Sequence, residues 1–197
     1  MNLSNVKINN IEFDVNKEKN QIILLNSFKK SDDFISQLKN RFNGKNKKIP
    51  HFLINKDGKI LKFISTDTIS EFFLNNGNNA IIICFENFGW MEKVPTKNFY
   101  SNFLGYIKKN DIYEKKWRDY FFWDIYSIEQ INSAIELCQK LMIDYPMIKK
   151  FIGHNTKIND AEHFNGIVSK SNYNTFYTDL NPSFPFLKFT NLLNNEK

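Results

Sequence analysis

Three histidines occur in the 197-residue chain, His51, His154 and His163, so any imidazole chemistry must run through one of them. His154 follows a glycine at the end of the short apolar run KFIG (150–153), and Asp179 lies downstream in TDLNPSF. An imidazole and a carboxylate are donors that zinc accepts. His154 and Asp179 therefore form a candidate metal pair, with His163 in the intervening loop as a weaker third. Both residues also have plainer readings: a loop histidine hydrogen-bonded to backbone, and an aspartate that caps a turn before Asn-Pro. A second constellation lies in AIIICFEN (80–87), where Cys84 and Glu86 share one face by strand alternation. Cys84 with His154 would make a thiolate–imidazole nucleophile, whereas a cysteine within an apolar strand ordinarily packs as a small core residue. Trp90, Trp117 and Trp123, with Tyr100, Tyr106, Tyr120 and Tyr126, are able either to stack on sugar rings or to form core and groove wall.

The elements that must position these residues are partly legible. QIILL (21–25) and AIIICFEN are apolar runs of strand length, and HFLINKDGKILKFI (51–64) is a hairpin turning at Asp57-Gly58. SDDFISQLKNRF (31–42) reads as a helix capped by Ser31, with Phe34, Ile35, Leu38 and Phe42 on one face. Ser127 and Gln130 form a capping box before Ile128, Ile131, Ile135, Cys138, Met142 and Tyr145, and Pro146 stops that helix. KFIG reads as a strand delivering His154, and 155–183 reads as a long loop. Residues 90–126 have weak periodicity and read as an insertion. The order predicts one mixed α/β domain, with the site in loops that follow strand ends.

Composition narrows the partners. The 27 basic residues exceed the 21 acidic ones and give a net charge of +6, but the charges are scattered in KNKK (45–48), KKWR (115–118) and smaller pairs. Arg41 and Arg118 are the two arginines, a poor set for reading bases or phosphates, which argues against nucleic acid. No apolar run reaches the length of a membrane span. The N-terminal MNLSNVKINNIEF lacks an apolar signal core, and Cys84 and Cys138 sit among apolar neighbours. The expectation is a protein made in a reducing cytoplasm, with no membrane partner.

QIILLNS, HFLINKDGKILKF, AIIICFENFGW, a helix followed by FIGHN, and TDLNPSFPF occur in that order. Together they resemble the zinc N-acetylmuramoyl-L-alanine amidases, the amidase-2 superfamily that includes phage lysozyme-amidases and peptidoglycan recognition proteins. The resemblance covers most of 20–187 and points to a phage-encoded branch. It implies a single amidase-like domain, a twisted mixed sheet with flanking helices, acting on peptidoglycan.

In such amidases two histidines and an Asp or Cys hold zinc, and an acid or Tyr and a Lys handle protons and the oxyanion. Carried over, the resemblance places His154 and Asp179 at two metal positions. Asn26 stands where the first histidine is expected, Cys84 where a catalytic acid often stands, Pro50 at a position that is Tyr in some members, and Tyr177 at the usual Lys. Glu86 remains as a nearby acid, and Trp90 and Asn26 as candidate substrate contacts. The expectation is a peptidoglycan-acting protein with a degenerate zinc site and weakened or lost catalysis. The alternative is a non-catalytic wall-binding domain, or a docking part of a phage particle that contacts other particle proteins. Without a signal core, wall access is expected at lysis or through the virion.

Overall fold

The computed structural model describes residues 2–8, 11–41, 47–73, 79–91 and 109–194. Two six-residue strands form its centre. β2 (Gln21–Asn26) and β5 (Ala80–Phe85) pair in parallel from Gln21↔Ala80 to Asn26↔Phe85, and every residue of both is buried. A strand covered on both faces has no polar side to present, which is why these segments read as unbroken apolar runs. Alternation then sorts the side chains. Ile22, Leu24, Ile81, Ile83 and Phe85 enter one core, and Ile23, Leu25, Ile82 and Cys84 enter the other.

The hairpin β3 (Phe52–Ile54) and β4 (Ile60–Lys62) extends the sheet beside β5, with β1 (Leu3–Asn5) at that edge. β9 (Gly166–Ser169) pairs in parallel with β2 on the other side, giving the order β1-β4-β3-β5-β2-β9. Gly58 has φ +81° in the hairpin turn, and a Cβ there would stand 2.8 Å from Glu129 O. The Asp57-Gly58 signal thus serves both the turn and the close seat of the hairpin on the following helix.

α1 (Ser31–Asn40) packs Phe34 and Leu38 into the second core, while Phe42 lies outside the described residues. Lys30, rather than Ser31, is its N-cap. The Ser31 hydroxyl sits 2.6 Å from Asn55 Oδ1 and 2.7 Å from Glu86 Oε2, so it joins strand ends instead of capping the helix. α2 (Ile128–Asp144) buries Ile131, Ile135, Cys138 and Leu141 against the first core, with the expected Ser127/Gln130 capping box. Gln130 is fully buried, and its Nε2 donates to Ile54 O and Glu86 O at 3.0 Å each. One side chain therefore closes the helix start and ties it to the ends of β3 and β5. α3 (Phe186–Asn194) packs beside α2 through Phe189 and Leu193.

Two segments depart from the sequence reading. KFIG supplies a bridge from Phe151 to Ile167 outside β9 rather than a full strand, and the strand itself lies in the expected loop, at GIVS (166–169). A four-residue strand flanked by Asn, Ser and Lys carries almost no periodic signal. The second departure is in 90–126, where β6 (Trp90–Met91), β7 (Ile112–Trp117) and β8 (Tyr120–Asp124) form an antiparallel sheet in the order β6-β8-β7. The register shifts between Glu114 and Trp117, which breaks the alternation that would have marked β7. Trp90, Trp117 and Trp123 all belong to this sheet. Tyr100 and Tyr106 lie outside the described residues, as do positions 45 and 46 of KNKK.

Gln130→Ala removes two bonds to buried carbonyls and half of the capping box. Urea denaturation is expected to show a loss of about 2–4 kcal/mol. Lys140→Ala, which breaks only an exposed 3.2 Å pair with Asp144, should stay within about 0.5 kcal/mol.

Candidate functional site

The ends of β2 and β9 and the loop carrying Asp179 meet at one edge of the main sheet. Asp179 is 1% exposed, and its Oδ2 accepts from Asn26 N at 3.3 Å. The loop is fixed by Ser171, whose backbone N donates to Asp179 O at 2.6 Å and whose hydroxyl donates to the same oxygen. Burial pushes the Asp179 carboxyl up to about 6, against the opposing pull of Lys170, the Asn26 amide and Arg118.

Neutral side chains surround this acid. The Tyr126 hydroxyl accepts from Asn181 N at 3.3 Å and donates to Asn26 Oδ1 at 2.8 Å, which fixes how the Asn26 amide faces. The Asn26 Nδ2 is buried without a hydrogen-bond partner among the described residues. Asn181 Nδ2 continues to Asn87 Oδ1 at 3.1 Å and Asp124 O at 3.0 Å, and Asn87 Nδ2 reaches Asp124 O at 3.1 Å. Phe85 and Phe184 pack edge-on against the Tyr126 ring, with centroids at 5.3 and 5.2 Å. A chain of amides and one phenol thus runs from Asp179 to Asp124 beneath the strand ends.

The other candidate residues are placed apart from this corner or on its far side. His154 is exposed, and its Nδ1 accepts from Thr156 N at 3.2 Å, the plainer of its two readings. Its backbone stays close to the corner, because Asn172 Nδ2 donates to His154 O at 3.0 Å and Asn155 Nδ2 to Leu180 O at 2.9 Å. The residue ending β9 is Ser169, fully buried and paired in register with Leu24; its hydroxyl lies 2.9 Å from Asn172 Oδ1. His163 is exposed in a short 3-10 turn. His51 is fully buried. Its Nδ1 accepts from Ile82 N and its Nε2–H donates to Thr68 O, and burial depresses its pKa to about 3.

Cys84 faces the second core with Leu25, whereas Asn26 lies in register with Phe85, which faces the first core. Burial pushes the Cys84 thiol well up, the reverse of what a nucleophile needs. Glu86 lies past the end of β5 and accepts from Ser31 Oγ and from Lys56 N at 3.2 Å. Tyr177 packs edge-on against Phe73 at 5.5 Å, and the Lys170 ammonium lies 4.3 Å from its ring centroid. Trp90 stacks on Tyr120 at 4.1 Å, half-buried.

This donor set does not fit zinc. No group of three or more His, Cys, Asp or Glu able to hold a metal occurs among the described residues. At the corner itself the Asn26 oxygen is already bonded to Tyr126 and its nitrogen is a donor. A neutral amide is a weak replacement for imidazole.

Sequence reasoning missed Lys170 and Arg118, which bring positive charge to Asp179. Arg118 occupies the β7–β8 turn with φ +56°, lies 4.3 Å from the Trp117 ring, and donates to Thr175 O. It also missed Asn87 and Asn181. Asparagine in DLNPS is an ordinary turn residue, and nothing local shows that its side chain is buried.

Searched against protein-family models and curated proteins, the chain matches none. Its fold matches solved structures across nearly its whole length. The N-acetylmuramoyl-L-alanine amidase LysC from Clostridium intestinale URNW superposes with a TM-score of 0.61 at 15% identity, covering 98% of this chain and 99% of that one. The endolysine N-acetylmuramoyl-L-alanine amidase LysCS from the same organism gives 0.59 at 14%, covering 98% and 97%. A selenomethionine derivative of AmpD gives 0.55 at 13%, covering 97% and 94%. The protein has the amidase fold.

Asp179→Asn tests the electrostatics of the corner. Because the folded pKa of Asp179 is raised above its unfolded value near 3.8, its contribution is fully present below that value and is lost as pH rises through about 6. The variant is therefore expected to gain about 1–3 kcal/mol over wild type at pH 8 relative to pH 4. His51 acts in the opposite sense, losing stability as pH falls from 6.5 towards 3, but it is common to both proteins and cancels. Urea midpoints of the pair at the two pH values measure the difference, and a constant difference would contradict the buried carboxylate.

Proposed function

We propose that this chain is a peptidoglycan-acting protein on the amidase fold, one that binds wall material with its zinc-dependent cleavage weakened or lost. The observation that carries this reading is the Asp179 corner. A buried acid there is surrounded by Asn26, Tyr126 and Asn181 in mutual hydrogen bonds, and Ser169 rather than a histidine ends β9. The structural neighbours LysC and LysCS are N-acetylmuramoyl-L-alanine amidases, which supports the muramoyl–alanine junction of peptidoglycan as the chemistry to test.

Zinc catalysis of that bond needs three protein ligands and an open position for water. His154 and Asp179 are the two residues proposed for such a role, and the His154 ring is exposed and bonded to its own loop. Glu86 remains a proposed acid, and Trp90 a proposed contact for sugar or peptide. The lost positions favour wall binding over turnover. A docking role in a phage particle is the second reading, supported by the same lost positions. Synthesis in the cytoplasm, with wall access at lysis or through the virion, completes the proposal.

The test incubates purified peptidoglycan with wild type, His154→Ala and Asp179→Asn, each with and without added zinc. Mass spectrometry follows released peptide stems, and co-sedimentation follows binding. Wild type is expected to sediment with the polymer and to release no stems above the two variants. Zinc-dependent release that both substitutions abolish would restore the enzyme. Neither release nor sedimentation would favour particle docking.

A further inference from the structure

The Asn26 side chain is 3% exposed, and its Nδ2 has no hydrogen-bond partner among the described residues. A buried donor without an acceptor is costly, so such an atom calls for a physical reason. Its neighbours settle which end of the amide is free. The Tyr126 hydroxyl accepts from Asn181 N, its proton goes to Asn26 Oδ1 at 2.8 Å, and the nitrogen is left pointing away from the phenol.

The same residue meets Asp179. Asn26 N donates to Asp179 Oδ2, and the Asp179 charge acts on the Tyr126 hydroxyl, so amide, phenol and carboxylate share one corner. No described residue donates to Asp179 Oδ1. The corner therefore offers one fixed donor at the end of β2 and one fixed acceptor on the loop after β9. A group that satisfies both must itself accept and donate. Charge narrows the choice further. The carboxylate repels an anion, and Lys170 and Arg118, which act on Asp179, disfavour a cation. The uncharged groups that qualify are a secondary amide, a hydroxyl and water. An amide carries its acceptor and its donor on separate atoms, which suits partners held on two separate elements.

We propose that Asn26 Nδ2 and Asp179 Oδ1 hold an uncharged secondary amide of a bound wall fragment, its carbonyl on Asn26 and its N–H on Asp179. Tyr126 is the positioning residue that keeps the Asn26 donor turned to the ligand. The inference rests on the wall-binding reading for its ligand. The amide comes either from an acetamido group on a sugar or from the junction of sugar and peptide.

NMR of the isotopically labelled protein in EDTA tests this through the Asn26 side-chain NH2 signal, identified by its loss in Asn26→Leu. The probes are N-acetylmuramoyl-L-alanine, its ester counterpart with L-lactate in place of L-alanine, N-acetylglucosamine and glucose. Co-sedimentation with peptidoglycan runs in parallel. An amide probe is expected to shift the Asn26 signal, to slow its exchange, and to bind about tenfold or more weakly to Asn26→Leu. Tyr126→Phe is expected to move the Asn26 signal in the ligand-free protein and to weaken the same probe; a purely structural role would leave that signal in place. A shift with N-acetylglucosamine identifies the acetamido source, and a shift with muramoyl-alanine that the ester abolishes identifies the junction. An Asn26 signal that neither amide moves up to about 10 mM, an equal shift with glucose, or unchanged affinity in Asn26→Leu overturns the proposal. A cross-peak to water that persists at saturating probe assigns the donor to an ordered water only and overturns it as well. Sedimentation of wild type with an unmoved Asn26 signal removes this site and leaves the wall reading standing. An amide-induced shift without sedimentation does the reverse.

Discussion

A carboxylate removed from water must be paired, hydrogen-bonded or neutralised, and Asp179 meets that demand in a particular way. Its pull on structure comes through donors rather than through a neighbouring cation in direct contact: the Asn26 amide reaches one oxygen, while Lys170 and Arg118 act across a distance. Around it the polar groups are neutral and mutually satisfied, from Tyr126 through Asn181 to Asn87 and the Asp124 carbonyl. Such a network is stable only when nearly every member has a partner. The exception is Asn26 Nδ2, and the side chain's other atom is committed to Tyr126. The corner is therefore built as a hydrogen-bonded joint between the sheet, the loop after β9 and the start of α2.

That joint explains why the small second sheet matters to the main one. β8 ends in Asp124, whose carbonyl receives Asn87, Asn181 and Ser183 and whose carboxylate receives Lys56 and Phe88. One residue thereby anchors an antiparallel sheet to the loops after β3 and β5 and to the loop leading into α3. Arg118, at the far end of the same hairpin, reaches the 175 loop. The β7–β8 hairpin of the segment that read as an insertion is thus bonded at both of its ends to loops beside the Asp179 corner.

The fold was legible where burial imposes a pattern. β2 and β5 read as apolar runs because both faces are covered, and α2 read cleanly because the capping box and a three–four spacing agree. β9 was not legible, since GIVS is short and its strand character comes from its parallel neighbour, β2. β7 was hidden by its register shift, and the cap assigned to Ser31 failed because Glu86 and Asn55 compete for its hydroxyl. At the site, the resemblance set Asn26, His154 and Asp179 at neighbouring positions, and the Asn26 backbone amide does reach the Asp179 carboxylate, while the His154 ring is exposed and bonded within its own loop. Buried amides such as Asn87 and Asn181 leave no local signal, because their role is set by residues far along the chain.

The amidase fold is shared here at 13–15% identity with the solved structures it matches, and the reason lies in which interactions carry stability. The two cores and the β2–β5 pairing use apolar side chains that many sequences supply. A strand-end position, by contrast, contributes mainly through what its side chain bonds to. Asn26 meets that requirement with Tyr126 as its partner, and Ser169 with Asn172, without any imidazole. Hydrogen bonds at these strand ends therefore close through amide, phenol and hydroxyl groups, and a fold by itself does not fix the chemistry that such positions carry.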